Sequence, residues 1–469
     1  MRAFMPSFDY RAERMSHRPK RFYARRPDES PPGTKSVPRV ASGFDAVPIL
    51  GAVTRLWHTV TNPVGLVHSA AEISGGNPFR LRVPTRFDLA YLPGEAGYKT
   101  VLSLPADHAA MGEIFLNVPT VGFWFPRRGN DPESLQELVL TGKRIMAAML
   151  SPSRVAGLEP LVESVMRNKL QEWGTTVDLA SDVHPAAYEI ALRYFAGDEI
   201  FTRYGTDLVH ALRAIVNGID IPRATLAITP ARYMMPEYRQ TRRLIKILRN
   251  AAAEIPESPL FQAIRAVGVH PQDEAFMAMY VVWNAVAYTG SYCIWTLVHV
   301  VSDPSVRAAL EATDDRRAYL GQSLWETIRL SPISSLVRYL RRPLEFEHAG
   351  RRYWLPQGTV VGTAPSLLNR DPRIWADPNR FMPERFSGDA PNPRTALFGS
   401  GAFGCVAGEF TRQLIAQVCD AILTARDLTL TEPAPVPRCR VHLLYPDRPI
   451  PATAPVRAAE PRKVLAASA

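Results

Sequence analysis

The sequence predicts a mainly α-helical protein with a minor β region. Apolar residues recur at three- and four-residue spacing through most of residues 134–331, which is the period of helices packed on a core. Shorter β-rich stretches lie on either side, at residues 79–104 and 344–362. A chain of 469 residues can bury a large core in one domain. We therefore expect one domain over residues 31–469, preceded by a disordered basic arm over residues 1–30.

Each element follows from its local pattern. The predicted helices cover residues 134–150, 161–174, 206–219, 241–255, 275–301, 304–313, 320–331 and, after Cys405, about 407–423. Residues 79–92 and 99–104 are predicted as strands of a small sheet, and residues 344–362 as a hairpin pair.

The segment 275–301 carries no Asp, Glu, Lys or Arg over 27 residues. Its length would cross a bilayer, which needs about 20 apolar residues. Polar residues such as Asn284, Tyr288 and Thr289 interrupt its middle, however. This pattern favours a long helix buried in a soluble protein and bent at a cofactor, with no membrane span.

Composition limits the cellular compartments and the classes of binding partner that we expect. The net charge of +10 comes without clustered basic and aromatic residues, so we expect no nucleic-acid binding. The four cysteines show no paired spacing, and the Arg-rich start contains no secretory signal, which together predict a cytoplasmic protein. Only seven of the 55 basic residues are Lys, a bias that indicates a GC-rich, bacterial genome.

The strongest chemical signal is a single cysteine in a glycine-rich loop. Cys405 follows Phe398 by seven residues, with Gly399, Gly401 and Gly404 between them. Glycine permits positive φ and close approach of the backbone to a flat cofactor. A thiolate at Cys405 would lie near the N-terminus of the next helix, whose dipole stabilises negative charge.

Three further motifs precede this loop. Glu326 and Arg329 share one face of a predicted helix. Arg385 lies in the segment Phe381–Phe386, and a buried guanidinium there would need a fork of acceptors. Arg338 follows Arg329 by nine residues.

Taken together, these motifs resemble the cytochrome P450 superfamily over roughly residues 31–457. The resemblance implies heme b as the cofactor, with Cys405 as the proximal iron ligand. It also implies a buried structural triad of Glu326, Arg329 and Arg385. The remaining cofactor contacts that it implies are Phe398, Gly399, Gly401, Phe403, Arg338 and either Lys143 or Arg144, the cations holding the two propionates.

The chain departs from the family pattern at three positions around the cofactor. Leu140 stands where Trp or His is usual, and Ala407 replaces the second Gly of the loop motif. Phe403 stands where a propionate-binding Arg, His or Lys is usual. The resemblance therefore implies that Arg338 and Lys143 or Arg144 hold more of the propionate charge.

A fourth departure concerns catalysis. Family monooxygenases carry an acid–alcohol pair at the bend of the distal helix, where it delivers protons. Aligned on Trp295 and Asp303, Ala287 takes the acid position and Tyr288 the alcohol position; in a register shifted by one, Thr289 supplies the hydroxyl. This window is most similar to the branch of sterol 7α- and 12α-hydroxylases and prostacyclin synthase, which contains both hydroxylases and an isomerase.

By resemblance, the substrate pocket is apolar, which implies a lipophilic ligand. Loop 105–125 is expected to close it. Its predicted lining residues are Asn284, Ala287, Tyr288, Ile333, Leu336, Val337 and Leu444.

The leading hypothesis is a monooxygenase that hydroxylates or couples a lipophilic small molecule in secondary metabolism. Its electrons would come from an acidic ferredoxin or flavodoxin-type donor with its reductase, docked on a basic face. One alternative is a heme-thiolate isomerase, dehydratase or peroxygenase that takes its O–O bond from a peroxide. The other is a non-enzymatic heme sensor, although no output domain accompanies the chain.

Overall fold

The structure is a computed structural model. It describes residues 30–40, 63–82, 88–111, 132–217, 233–332, 336–387, 397–399, 401–437, 444, 446 and 448–457. The predicted basic arm therefore lies outside the described residues, apart from Ser30.

Helices form most of the described chain, as the sequence predicts. They are α1 Pro63–Ile73, α2 Gly94–Ser103, α3 Pro132–Met149, α4 Pro152–Val155, α5 Leu158–Glu172, α6 Leu179–Ala196, α7 Asp198–Asn217, α8 Pro236–Glu254, α9 Pro259–Ala266, α10 Glu274–Val286, α11 Thr289–Ser302, α12 Pro304–Ala312, α13 Arg316–Leu330, α14 Pro365–Leu368 and α15 Gly408–Ala425.

Strands are short and lie in three small sheets. They are β1 Lys35–Ser36, β2 Phe79–Arg82, β3 Asp88–Tyr91, β4 Ala109–Ala110, β5 Thr176–Asp178, β6 Leu336–Leu340, β7 Leu344–His348, β8 Arg351–Leu355, β9 Val360–Thr363, β10 Thr429–Leu430 and β11 Pro451–Thr453. The largest sheet has the order β2-β3-β9-β6-β4, and the others are β1-β8-β7 and β10-β11-β5.

The predicted central helix is present and bent. It forms α10 and α11, which are separated at Ala287 and Tyr288 and both packed in the main hydrophobic core. Helices α6, α13 and α15 surround α11. Among the described residues, no helix combines the length and the apolar character needed to cross a bilayer.

The β predictions hold with one correction. The hairpin is β7 and β8, in antiparallel register from Leu344 opposite Leu355 to His348 opposite Arg351. Residues 99–104 were predicted as a strand, but residues up to Ser103 belong to helix α2. The reason is the wider spacing of the buried residues Tyr98, Val101 and Leu102, which places them on one helix face.

A buried ion network joins α13 to the segment that precedes the cysteine loop. Arg329 and Glu326 are fully buried and paired through two hydrogen bonds of 2.6 and 2.7 Å. Nε of Arg385 lies 3.3 Å from Oε1 of Glu326, and the backbone N–H of Met382 donates to the same oxygen at 2.9 Å. The structure thus brings the three predicted triad residues together.

We expect Glu326→Gln to destabilise the protein strongly, because the variant leaves the Arg329 guanidinium buried without its counter-charge. Breaking one partner of a buried pair costs about 3–5 kcal/mol. The matched control is Glu345→Gln, which breaks an exposed pair with Arg352 and should cost about 0–1 kcal/mol. Urea unfolding of both variants measures the difference, and equal losses would show that the Glu326 network is not structural.

Candidate active site

The cysteine loop has the compact form that its glycines predict. The backbone N–H of Cys405 donates to the carbonyl of Phe398 at 2.8 Å, which closes the loop. Gly399 and Gly401 have φ of +67° and +68°, a region that favours glycine. A Cβ on Gly401 would lie only 2.5 Å from the carbonyl oxygen of Leu102, so the close approach of α2 also requires glycine.

Cys405 lies three residues before the start of α15. Burial raises the pKa of its thiol, whereas the backbone N–H of Ala407 and the charge of Lys143 lower it. The residue is nevertheless exposed. A side chain that is densely surrounded yet accessible lines a concavity. Ala407 has φ of −102°, so this position does not need the glycine that the family pattern places there.

Helix α3 directs one of its two candidate cations to the loop. Lys143 Nζ donates to the carbonyl of Gly404. Burial lowers the pKa of Lys143, the charge of Cys405 raises it, and Arg338 lowers it further. Arg144 instead is exposed and forms an ion pair with Glu137. Of the two residues considered from sequence, Lys143 is therefore the one placed at the loop.

Arg338 on β6 is buried beside Lys143. Burial lowers the pKa of its guanidinium to about 10, while the nearby Tyr98 raises it. The guanidinium carbon lies 4.6 Å from the ring centroid of Phe403, within range of a cation–π contact. The sequence predicts Phe403 as a cofactor contact that cannot bind a propionate, and does not reveal its contact with Arg338.

The distal helix breaks where the sequence predicts a bend. Ala287 is fully buried, and Tyr288 is half-buried with φ −111° and ψ −24°. The hydroxyl of Thr289 donates to the carbonyl of Ala285 at 2.6 Å, across the break. Both residues considered from sequence, Tyr288 and Thr289, thus lie at the break. No Asp or Glu occurs between Asn284 and Thr289.

One residue on this helix was not anticipated from sequence. Tyr280 packs against α3 so closely that a Cβ on Gly142 would meet its ring at 2.2 Å. Burial raises the pKa of Tyr280, and the nearby Cys405 raises it further. Asn284, one turn later, is half-buried and donates from Nδ2 to the Tyr280 carbonyl at 2.7 Å. Tyr280 precedes Tyr288 by eight residues, about two helical turns, and this spacing could have identified it from the sequence.

The other predicted pocket residues fall in different surroundings. Leu336 and Val337 are half-buried at the start of β6. Leu444 is buried in the main core, where its carbonyl accepts from the indole of Trp295. Ile333 and residues 112–125 of the predicted covering loop lie outside the described residues.

Comparisons with known proteins find relatives in one family. The cytochrome P450 family model matches residues 300–444. Cytochrome P450 88A1 of Zea mays is 23% identical over 338 residues, covering 63% of this chain and 62% of the maize protein. The human 24-hydroxycholesterol 7-alpha-hydroxylase is 26% identical over 177 residues, covering 33% of this chain and 37% of that protein. The chain thus spans less than two thirds of these relatives' length.

Two solved structures share the fold over nearly the whole chain. Cytochrome P450EX alpha (CYP152N1), solved with myristic acid, matches with a TM-score of 0.68 at 14% identity, covering 90% of this chain and all of that one. The cyanobacterial CYP120A1 bound to retinoic acid matches with the same TM-score and coverage at 15% identity. The family binds heme b through a cysteine thiolate. In its motifs, its fold and its relatives, the chain is thus similar to the cytochrome P450 superfamily.

Proposed function

We propose that this protein is a heme-thiolate monooxygenase that oxidises a lipophilic small molecule with electrons from a separate redox partner. The observation that carries the proposal is the placement of Cys405. It projects from a glycine-shaped loop at the start of α15, close to two buried cations, Lys143 and Arg338, and to Tyr280 of the bent helix.

The residues present fit heme b. Arg338 is a buried cation, and no carboxylate partner for it occurs in the part of the chain that the structure describes. A buried charge without a counter-ion is costly, and an anionic ligand would relieve that cost. Heme b brings two propionates to such a site. Arg338 and Lys143 would hold them, with Phe403 stacked on the guanidinium.

When bound, thiolate-ligated heme supplies cleavage of the O–O bond. The chain's own residues would bind the substrate, exclude water from the pocket and hold protons. Tyr280, Asn284 and Tyr288 lie on one side of the bent helix and would shape the pocket. The Thr289 hydroxyl is held on the Ala285 carbonyl by its own proton and keeps its lone pairs available to accept another.

A lipophilic substrate is supported by the apolar residues at the site and by the name of one relative, the 24-hydroxycholesterol 7-alpha-hydroxylase. An acidic ferredoxin or flavodoxin-type donor is supported by the net charge of +10. We extend the proposal to secondary metabolism and to a bacterial cytoplasm; the bacterial cytoplasm is supported by the composition alone.

A second function deserves a test because of one specific observation. The break of the distal helix carries Ala287 and Tyr288 and no carboxylate. An enzyme that receives a ready-made O–O bond from a peroxide does not need protons for reductive activation of dioxygen. Isomerase, dehydratase or peroxygenase chemistry is therefore the alternative.

We expect Cys405→Ala to abolish the red-shifted Soret band that marks thiolate ligation in the reduced, carbon monoxide-treated protein. Cys293→Ala and Cys419→Ala are matched controls, because both cysteines are buried in the core and should leave the band in place. A band that persists in the Cys405 variant would refute the assignment of the ligand.

We expect Arg338→Met to weaken heme retention about 10- to 100-fold, since hydrogen bonds to charged groups contribute about 1.5–3 kcal/mol. Arg342→Met is the control: Arg342 is exposed and pairs with Asp107 at 3.0 Å. Heme transfer to apomyoglobin measures retention. Equal loss rates in the two variants would remove Arg338 from the heme site.

The monooxygenase and its alternative are separated by the source of the inserted oxygen. With a surrogate ferredoxin, its reductase and a panel of lipophilic compounds, we expect label from ¹⁸O₂ to appear in product and turnover to require reductant. The comparison arm omits reductant and supplies peroxide. Product formation from peroxide alone, at rates equal to or above the reductant-supported reaction, would favour the alternative.

A further inference from the structure

A cleft lies between helices α6 and α7, with Lys169 of α5 at its edge. Its volume is about 760 Å³, and it is lined by charged, polar and apolar residues. The lining that bears on the argument is Pro185, Glu189, Gly205, Thr206, His210 and Arg213. Thr206 and His210 are exposed, so the cleft opens to solvent.

Next to Pro185 stands His184, whose side chain is fully buried on the inner side of α6. A Cβ on Gly290 would lie 2.5 Å from Cδ2 and 2.7 Å from Nε2 of His184. The imidazole therefore packs closely against the first turn of α11, one residue beyond Thr289. The absence of a side chain at Gly290 leaves the space that the ring occupies.

The groups around His184 belong to helices α6, α7 and α11, and one of them, Arg213, is charged. Arg213 of α7, which lines the cleft, and burial together lower the pKa of His184 to about 3, with burial the larger cause. On α6, the Tyr188 ring centroid lies 4.2 Å from that of His184. From α11, the described residue against the ring is the uncharged Gly290. The imidazole is thus neutral near pH 7.

A neutral imidazole has one nitrogen that donates and one that accepts. It can take a proton at one nitrogen while it releases a proton from the other, so that its own charge returns to zero. His184 precedes Pro185, which lines the solvent-open cleft, and it packs against Gly290, the residue after Thr289 at the helix break. The break itself contains no carboxylate that could do this.

We propose that protons reach the break of the distal helix from the α6–α7 cleft through the imidazole of His184. The inference rests on the proposed function, because reductive activation of dioxygen consumes protons. His184 does not touch the reacting atoms in this arrangement. It acts through the Thr289 hydroxyl and is a relay and positioning residue.

The first test is independent of turnover. Exchange of the imidazole Cε1 proton for deuterium is measured by mass spectrometry on the heme-loaded protein, without substrate or reductant. His299 is the control, because it is a partly buried histidine on α11, its ring stacks on Phe381, and burial lowers its pKa to about 4. We expect faster exchange at His184, although its lower pKa alone would make it slower.

Thr206→Trp fills the cleft and should slow exchange at His184 while leaving His299 unchanged. Exchange at His184 as slow as at His299, or unaffected by the tryptophan, would overturn the route.

The second test asks whether the route serves catalysis. His184→Phe keeps a ring against Gly290 but removes both nitrogens. We expect product formed per electron pair to fall about 10²-fold, at the lower end of what proton-transfer assistance contributes. The solvent deuterium isotope effect on the residual rate should change as well. A space-filling role alone would alter thermal stability and leave the isotope effect as in the wild type, and that result would refute the proposal.

His299→Phe controls for the loss of a partly buried histidine and should retain the wild-type isotope effect. If the wild type forms no reductant-dependent product, the proposed monooxygenase fails. The exchange experiment still decides whether the cleft connects to His184, so the two failures are distinguishable.

Discussion

The arrangement of the site depends on one buried guanidinium. Arg329 uses all five of its N–H donors: two on Glu326, and one each on the carbonyls of Asn369, Pro378 and Arg380 at 2.6, 2.7 and 3.1 Å. The first partner belongs to its own helix and the other three to an irregular segment. Such a segment has no ladder of hydrogen bonds to fix its course. The single guanidinium replaces that ladder and anchors residues 369–385 onto α13.

This anchor matters for Cys405 because α13 also packs on the helix that the cysteine precedes. Helix α13 contacts both α11 and α15, so the distal helix and the cysteine loop share one support. Trp325 on α13 places its ring edge-on to Phe398, with centroids 4.9 Å apart. Phe398 in turn accepts the Cys405 N–H. Two contacts, Trp325 with Phe398 and Phe398 with the Cys405 backbone, thus connect the helix of the buried ion network to the cysteine.

How far the sequence predicts this structure depends on the range of each interaction. The Arg329–Glu326 pair, the helix after Cys405 and the hairpin β7–β8 follow from local spacing, and all three are present. The contact of Phe403 with Arg338 joins residues that are far apart in sequence, and no periodicity reveals it. His184 was missed for the same reason: only the packing of α6 on α11 brings it to Gly290.

The distal helix shows how a bend can persist when the residues usual at it change. A threonine hydroxyl that bonds to the carbonyl four residues earlier competes with the backbone N–H and bends a helix. Thr289 does this to Ala285, and α10 ends between them. The break therefore needs neither glycine nor an acid at positions 287 and 288. Because Thr289 supplies the geometry of the break, the group that supplies protons can lie on another helix. In our proposal that group is His184 of α6, which packs against Gly290, the residue after Thr289.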